Sequence, residues 1–448
     1  MAVSVVPAPN RLHQRELESI PDLLQAHSRA PDTLPFLLES AARAAETGRY
    51  SLLLASDPNT RPLVADGRTP FLERLDQCFR REQVTPVAGT PVFIGGWFVY
   101  LGYELAGEIE PRLPCTLDQP RALAQRCDGA IIVDHDAGRA FVVAESDQRA
   151  ETIAAMAADA EPSADPVAPA RIRLQADAGE RYRRGVRRIR EYIRAGDVFQ
   201  VNLSRGWRGI IESGSSRPEV LYAALRRTNP APFAGLARFG GGALLSSSPE
   251  RLLSVAGDCI ETRPIAGTRP RGHDPGSDRR LVAELRDNVK ERAEHVMLID
   301  LERNDLGRVC VPGSVQVDQL MVTESYAYVH HTVSNVRGRL QPGIGPRQTL
   351  AAVFPGGTIT GCPKVRCMQI IAELEDAGRG FYTGSMGYLG RDGRMDMNIL
   401  IRSLWLQNDR IAMRTGAGIV ADSDPERELE ETESKARGML LAMGERLA

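Results

Sequence analysis

The sequence predicts a mixed α/β protein, and three observations predict it. Short apolar runs bounded by glycine or Asp/Asn/Pro clusters recur in the first third of the chain, at residues 48–55, 92–103, 131–134 and 140–144. Apolar residues at helical spacing dominate residues 179–195, 282–300 and the segment after Asp424. Residues 149–171 separate the two patterns, being rich in Ala, Asp, Glu and Ser, with Pro162, Pro166 and Pro169 and no periodic apolar face. This stretch is the expected linker between a strand-rich N-terminal domain, residues 1–160, and a second domain, residues 172–448.

Composition narrows the function classes. At 448 residues the chain can bury a large core, and 56 basic against 58 acidic residues leave a formal charge of −2, so no global field recruits nucleic acid or an anionic membrane. The first residues lack a basic segment followed by an apolar run, and the longest apolar stretch, residues 91–103, is glycine-broken and too short to span a bilayer. A cytoplasmic protein is expected. Seven cysteines without CxxC spacing argue against a zinc site or a disulfide framework.

Each element follows from local chemistry. Residues 34–40 lead through a short helix-like run into the strand at 48–55, and Gly95-Gly96 marks a bulge or a close backbone approach in the strand at 92–103. The turn at 136–138 makes a hairpin of 131–134 and 140–144. Tyr182, Val186, Ile189 and Ile193 form the apolar face of a helix over 179–195, and Gly196-Asp197 turns it into a strand over 198–204. Residues 262–272 carry Arg263, Arg269 and Arg271 among two prolines and two glycines, which reads as a rigid loop presenting donors to an anion, or equally as a stiff surface turn. Glu250 lies twelve residues before this stretch. Glu294, on a helix over 282–300, has Met297, Leu298 and Leu301 on its own flank and so needs a partner, either a metal or an ion pair with Lys290 or Arg303. Asp424 caps the last helix with Pro425 at its first position, and Glu428, Glu431 and Lys435 share one edge of it. That edge is a solvated face unless something charged meets it. The bare backbone of Gly416-Ala417-Gly418 just before could hold a carboxylate.

Taken together, Ser248-Pro-Glu250, Pro264-Ile-Ala-Gly-Thr268, the run from Arg292 to Arg308, Pro355-Gly-Gly-Thr-Ile-Thr-Gly-Cys-Pro-Lys364, Gly416-Ala-Gly418 and Glu431-Thr432 with Lys435 resemble the chorismate-utilising enzymes. That family includes anthranilate synthase component I, aminodeoxychorismate synthase component I, isochorismate synthase and salicylate synthase. The resemblance covers residues 180–440 strongly and the N-terminal part more loosely. It implies large, mainly antiparallel sheets stacked face to face with helices outside. It also implies a Mg²⁺ held by Glu294 and Glu431 with Glu428 close by, Glu250 as the general acid for loss of the C4 hydroxyl, and carboxylate binding by Tyr388, Arg402, Lys435 and the backbone of Gly416, Ala417 and Gly418. His331 matches a histidine near the substrate. Ala266, Gly267 and Thr268 belong to the same catalytic stretch.

Gln200 stands where water-using relatives carry a lysine base. A glutamine cannot be a base and neutral ammonia needs none, so the resemblance implies an aminating enzyme supplied by a separate glutamine amidotransferase subunit. Ala266 is typical of anthranilate synthase, whereas Gln200-Val-Asn-Leu203, Val329-His-His331 and residues 354–361 look like aminodeoxychorismate synthase. The expected product is 4-amino-4-deoxychorismate, for 4-aminobenzoate and folate synthesis, reached without a covalent adduct through 2-amino-2-deoxyisochorismate. Anthranilate, for tryptophan synthesis, is the alternative. Glu39, Ser40, Arg49, Tyr50 and Ser51 resemble tryptophan-binding elements of anthranilate synthase.

Overall fold

Phe36 and Leu37 point to opposite faces of the strand Phe36–Glu39, and this period-two alternation organises the whole protein. The computed structural model describes residues 12–43, 47–113, 121–158, 160, 171–213 and 216–444. Phe36, Leu52, Leu54 and Ile132 from one sheet meet Phe98, Tyr100, Met386 and Tyr388 from another in a shared apolar layer. Leu37, Leu53, Ile131 and Val133 face the other way, under the helices Leu23–Arg29, Asp147–Ala158, Pro218–Thr228 and Pro425–Ala442. On the second sheet, Trp97, Val99 and Leu101 likewise face outward under Phe71–Glu82, Val289–Gly307 and Pro346–Val353. The architecture is two stacked sheets with helices outside.

One sheet has 12 strands and the other 10, and every named pairing is antiparallel. Both sheets draw strands from either side of residue 160: Phe36–Glu39 pairs with Phe233–Phe239, and Gly96–Leu101 pairs with Ser385–Gly390. The expected linker therefore does not divide the sheets. Its beginning is helix, Asp147–Ala158, with Ala150, Ile153 and Ala157 buried; residues 161–170 lie outside the described ones.

The expected strands at 48–55 and 92–103 form as Tyr50–Ala55 and Gly96–Leu101, and the hairpin as Gly129–Asp134 with Arg139–Ala144. Gly96 permits a close approach, since a β-carbon there would collide with the Leu389 carbonyl. The helix-like run after residue 40 is not found at Ala41–Arg43, and residues 44–46 lie outside the described ones. The helix over 282–300 is in fact two, Pro275–Asp287 and Val289–Gly307, broken at Asn288, whose side chain accepts from Glu291 N to cap the second.

The arginine-rich stretch is also corrected. Residues Cys259–Arg263 and Ile265–Pro270 are strands, with a bulge where the register slips between Ile265 and Thr268 and Gly267 adopts φ 83°. Its arginines hold the protein together: Arg263 pairs with Glu324, Arg269 with Glu284 and Glu291, and Arg271 with Asp278. None is presented to an anion. The six described cysteines are free thiols, and no helix among the described residues is long and apolar enough to cross a membrane.

Candidate active site

Glu250 follows the strand Gly242–Ser248 and is fixed by backbone contacts, its nitrogen donating to Ser248 Oγ and its carbonyl accepting from Ile399 N. The side chain is buried, and Oε1 has no hydrogen-bond partner. Burial raises its pKa to about 7; the charge of Glu302 adds to this, while the nearby Thr358 hydroxyl, the Ile265 backbone and Arg402 oppose it. A carboxylic acid that keeps its proton near neutrality is suited to protonating a leaving hydroxyl.

Arg402 sits at φ 50°, a left-handed conformation uncommon for a side chain of this size, immediately before the strand Ser403–Gln407. None of the described residues gives its guanidinium a hydrogen bond or a carboxylate at ion-pair distance, although burial depresses its pKa and only the charge of Glu250 opposes this. Such a cation is open to an anionic ligand. Its charge also acts on His331, a buried residue whose pKa falls to about 3 chiefly through burial. His331 is thus neutral, and its Nδ1 lies 2.8 Å from Thr268 Oγ1, opposite it in the ladder. The backbone of Gly267 approaches His331, and that of Ala266 approaches His295, a fully buried imidazole pushed down to about 4. Glu250, Ala266, Gly267, Thr268, His331 and Arg402 are therefore one cluster.

A second wall is the strand Arg410–Ile419 against Gln200–Ser213. Gly416, Ala417 and Gly418 lie opposite Ser204, Leu203 and Asn202. Space is short at both glycines: a β-carbon on Gly418 would displace the Gln200 amide, and one on Gly416 would meet Leu203 O at 2.6 Å and Tyr382 Oη at 2.8 Å. Gln200 Oε1 is buried without a partner. Lys435 Nζ donates to Gly416 O at 3.0 Å and pairs with Glu431 at 2.7 Å, so the lysine is tied to this strand.

Tyr388 does not belong here. It lies in the layer between the sheets with its ring edge-on to Phe93, and it lines a separate cavity of about 290 Å³ with Glu39, Ser40, Arg49 and Tyr50. Ser51 lies behind that cavity, accepting from Ser40 N and bonding His135. The tyrosine at the glycine strand is Tyr382, held under the guanidinium of Arg379. Nothing but its place two residues after Arg379-Gly380 separates Tyr382 from a core aromatic in the sequence.

Glu294 and Glu428 come from different helices, and each is raised above the ordinary carboxylate range first by burial. Glu291, Glu428 and Glu431 add to the shift of Glu294, and Glu431 to that of Glu428; Lys290 opposes both. Among the described residues, no three acidic, histidine or cysteine side chains converge closely enough to hold a metal ion as they stand. Arg303, the other expected partner of Glu294, pairs with Asp300 instead.

A buried acid, an arginine without a partner among the described residues and a bare glycine strand are features suited to an anionic ligand, and the description chorismate binding enzyme matches residues 35–441. The chain belongs to the chorismate-binding enzyme family. It is 40% identical over 406 residues to an anthranilate synthase component I-like protein of Synechocystis sp., spanning 88% of this chain and 83% of that one. An aminodeoxychorismate synthase component 1 of Bacillus subtilis is 48% identical over 262 residues, 58% of this chain and 55% of its own. The crystal structure of anthranilate synthase component I from Streptococcus pneumoniae superposes with a TM-score of 0.76 at 31% identity, covering 88% of this chain and 92% of that one. This chorismate-binding enzyme thus has relatives of two reaction types.

Proposed function

We propose that the chain is the chorismate-binding subunit of an ammonia-using synthase that converts chorismate to 4-amino-4-deoxychorismate. The observation that carries amination is Gln200: its amide fills the place against Gly418, and no lysine stands there to activate water. Retention of the enolpyruvyl group rests on the stretches 200–203, 329–331 and 354–361, which resemble aminodeoxychorismate synthases. Arg402 and the backbone of Gly416–Gly418 bind substrate carboxylates, with Tyr382 in the part first given to Tyr388. Glu250 protonates the C4 hydroxyl as a first ammonia attacks C2 in the space Ala266 leaves open, His331 and Thr268 flank the ring, and a second ammonia then bonds C4 as the first departs from C2.

The carboxylates Glu294, Glu428 and Glu431 are the oxygen ligands a hard cation would draw together, because Glu428 and Glu431 act as like charges on Glu294 across two helices. Bound there, Mg²⁺ supplies charge neutralisation for the ring carboxylate. Ammonia comes from a separate glutamine amidotransferase subunit, in a soluble cytoplasmic complex. The groove of about 790 Å³ lined by Phe199, Met297, Cys362 and Val365 gives it a way in, since Cys362 pairs with Gln200 across the sheet. Anthranilate synthesis is the second reading. It is favoured by the relatives that bear that name and by the cavity at Glu39, Ser40, Arg49 and Tyr50, which would take tryptophan.

Incubation of the isolated chain with chorismate and Mg²⁺ tests the amination. Chorismate is consumed with an ammonium salt and not with glutamine; consumption in the absence of any nitrogen source would overturn it.

A further inference from the structure

Glu302 is buried and takes no part in the chemistry assigned above, yet it sits back to back with the acid that does. The two carboxylates lie on either side of one short turn, Gly357–Ile359. The backbone of Gly357 faces Glu302, where a β-carbon would come within 3.2 Å of Oε1, and the next residue, Thr358, sets its hydroxyl against Glu250. A second hydroxyl, Thr262 Oγ1, lies against Glu302. Neither hydroxyl has a hydrogen bond of good geometry, and neither does Glu250 Oε1, although all three atoms are buried. Two unsatisfied hydroxyls beside two buried acids, one of which has an unsatisfied oxygen of its own, are costly in a protein interior unless they exchange protons or hold water.

The outer end of this array reaches solvent. Asp305 and Lys364 contact each other and act on Glu302, the acid raising its pKa and the lysine opposing; both line the groove of about 790 Å³. Lys364 Nζ also donates to Val353 O, and Arg308 acts on Asp305. Burial, with Asp305 adding, pushes Glu302 above the ordinary carboxylate range, as burial also does Glu250. Two acids both raised by burial can each hold a proton near neutrality and so can exchange one. The charged groups acting on the pair are thus Arg402 at the Glu250 end and Asp305 and Lys364 at the other.

We propose that Glu302 is a relay residue that reloads Glu250 with a proton drawn from the groove at Asp305 and Lys364, through the hydroxyls of Thr262 and Thr358. The proposal rests on Glu250 being the general acid. When the C4–O bond breaks, Glu250 gives its proton to the departing hydroxyl, which leaves as water. The carboxylate of Glu250 then takes a proton from Glu302 while the threonine hydroxyls accept one and release one. Glu302 is reprotonated from solvent at the groove. The ammonium formed by attack at C2 returns one proton to solvent; when the second ammonia bonds C4 the C2–N bond breaks, and the proton the departing amine takes matches the one the new ammonium loses, so each turnover consumes one ammonia net and releases one water with no net proton. Chorismate then need not leave a path open to water on its own side of Glu250.

The test is Glu302→Gln, which keeps the shape and the neutral hydrogen bonding but cannot relay. With chorismate, Mg²⁺ and ammonium, kcat should fall at least tenfold while KM for chorismate stays within twofold. The solvent deuterium isotope effect on kcat should rise, and Glu302→Asp should recover part of the rate. A folded Glu302→Gln protein with unchanged kcat and isotope effect would overturn the relay. Should the glutamine variant not fold, Thr262→Val is read in the same way: a raised isotope effect supports the relay and an unchanged one overturns it. Glu250→Gln separates the two levels, because an active Glu250→Gln removes the acid itself, whereas an inactive one beside an unaffected Glu302→Gln removes only the relay.

Discussion

Tyr382 stands directly over Gly416, so close that a β-carbon on the glycine would lie 2.8 Å from the tyrosine hydroxyl. The pair leaves no room for a side chain at Gly416. Gly416→Ala should lower kcat/KM for chorismate at least tenfold, since the methyl group would also press on Leu203 O, and overpacking of this kind costs about 1–3 kcal/mol. Tyr382→Phe should cost about tenfold, the worth of roughly one hydrogen bond to a charged group. Tyr388→Phe should stay within twofold, because its hydroxyl faces the cavity between the sheets. Steady-state kinetics of the three variants checks the assignment, and the reverse ranking of the two tyrosines would undo it.

Glu250 makes activity and stability pH-dependent in the same direction. Its pKa is raised on folding from 4.5 to about 7, so the protonated form favours the folded state. That contribution is complete below the unfolded value and is lost as pH rises through 7. The rate of C4 hydroxyl loss should fall over the same window. Glu250→Gln should therefore be more stable than the natural protein at pH 8, by on the order of 1–3 kcal/mol, and equal to it near pH 4.5. Denaturant melts at the two pH values measure the difference.

The carboxylates Glu294 and Glu428 predict a reversal of sign. Without metal, Glu294→Gln removes a like charge from a crowded site and should raise the melting temperature by roughly a few tenths of a degree, the effect of a few tenths of a kcal/mol on a chain of this length. With millimolar Mg²⁺ the natural protein should be stabilised and the variant should not, because binding adds stability only to the form that binds. A variant stabilised by Mg²⁺ as much as the natural protein would remove Glu294 from the metal site.

Much of this was legible in the sequence because it depends on local pattern. The apolar runs in 48–55 and 92–103 marked strands, which form at Tyr50–Ala55 and Gly96–Leu101 and are buried on both faces, and Asp424-Pro425 marked the start of the last helix, where the Asp424 side chain accepts from Glu426 N and Arg427 N. The arginine-rich segment misled for a physical reason. Pro264 lies between two strands and Pro270 ends one, so neither removes a needed ladder donor, and the three arginines find acids that are distant in sequence. Asn288 hid a helix break inside an apolar-periodic run. Tyr382 and Tyr388 lie six residues apart around the same strand, and only the sheet pairing sends one to the glycine strand and the other to the cavity between the sheets.

Ala266 leads to a prediction about covalency. Neither it nor Gln200 offers a nucleophile, so intact-protein mass spectrometry during turnover should show only the unmodified chain, and rapid quenching should release free 2-amino-2-deoxyisochorismate. Ala266→Lys places an amine on the bulge beside Gly267, where an adduct should form if the bulge faces C2. A chorismate-sized adduct on the natural chain would contradict the non-covalent route.

The most direct measurement is the fate of the enolpyruvyl group when the purified chain turns over chorismate with Mg²⁺ and ammonium. Lactate dehydrogenase with NADH should detect no pyruvate while chromatography shows 4-amino-4-deoxychorismate accumulating in proportion to the chorismate consumed. Equimolar pyruvate and anthranilate would contradict the account.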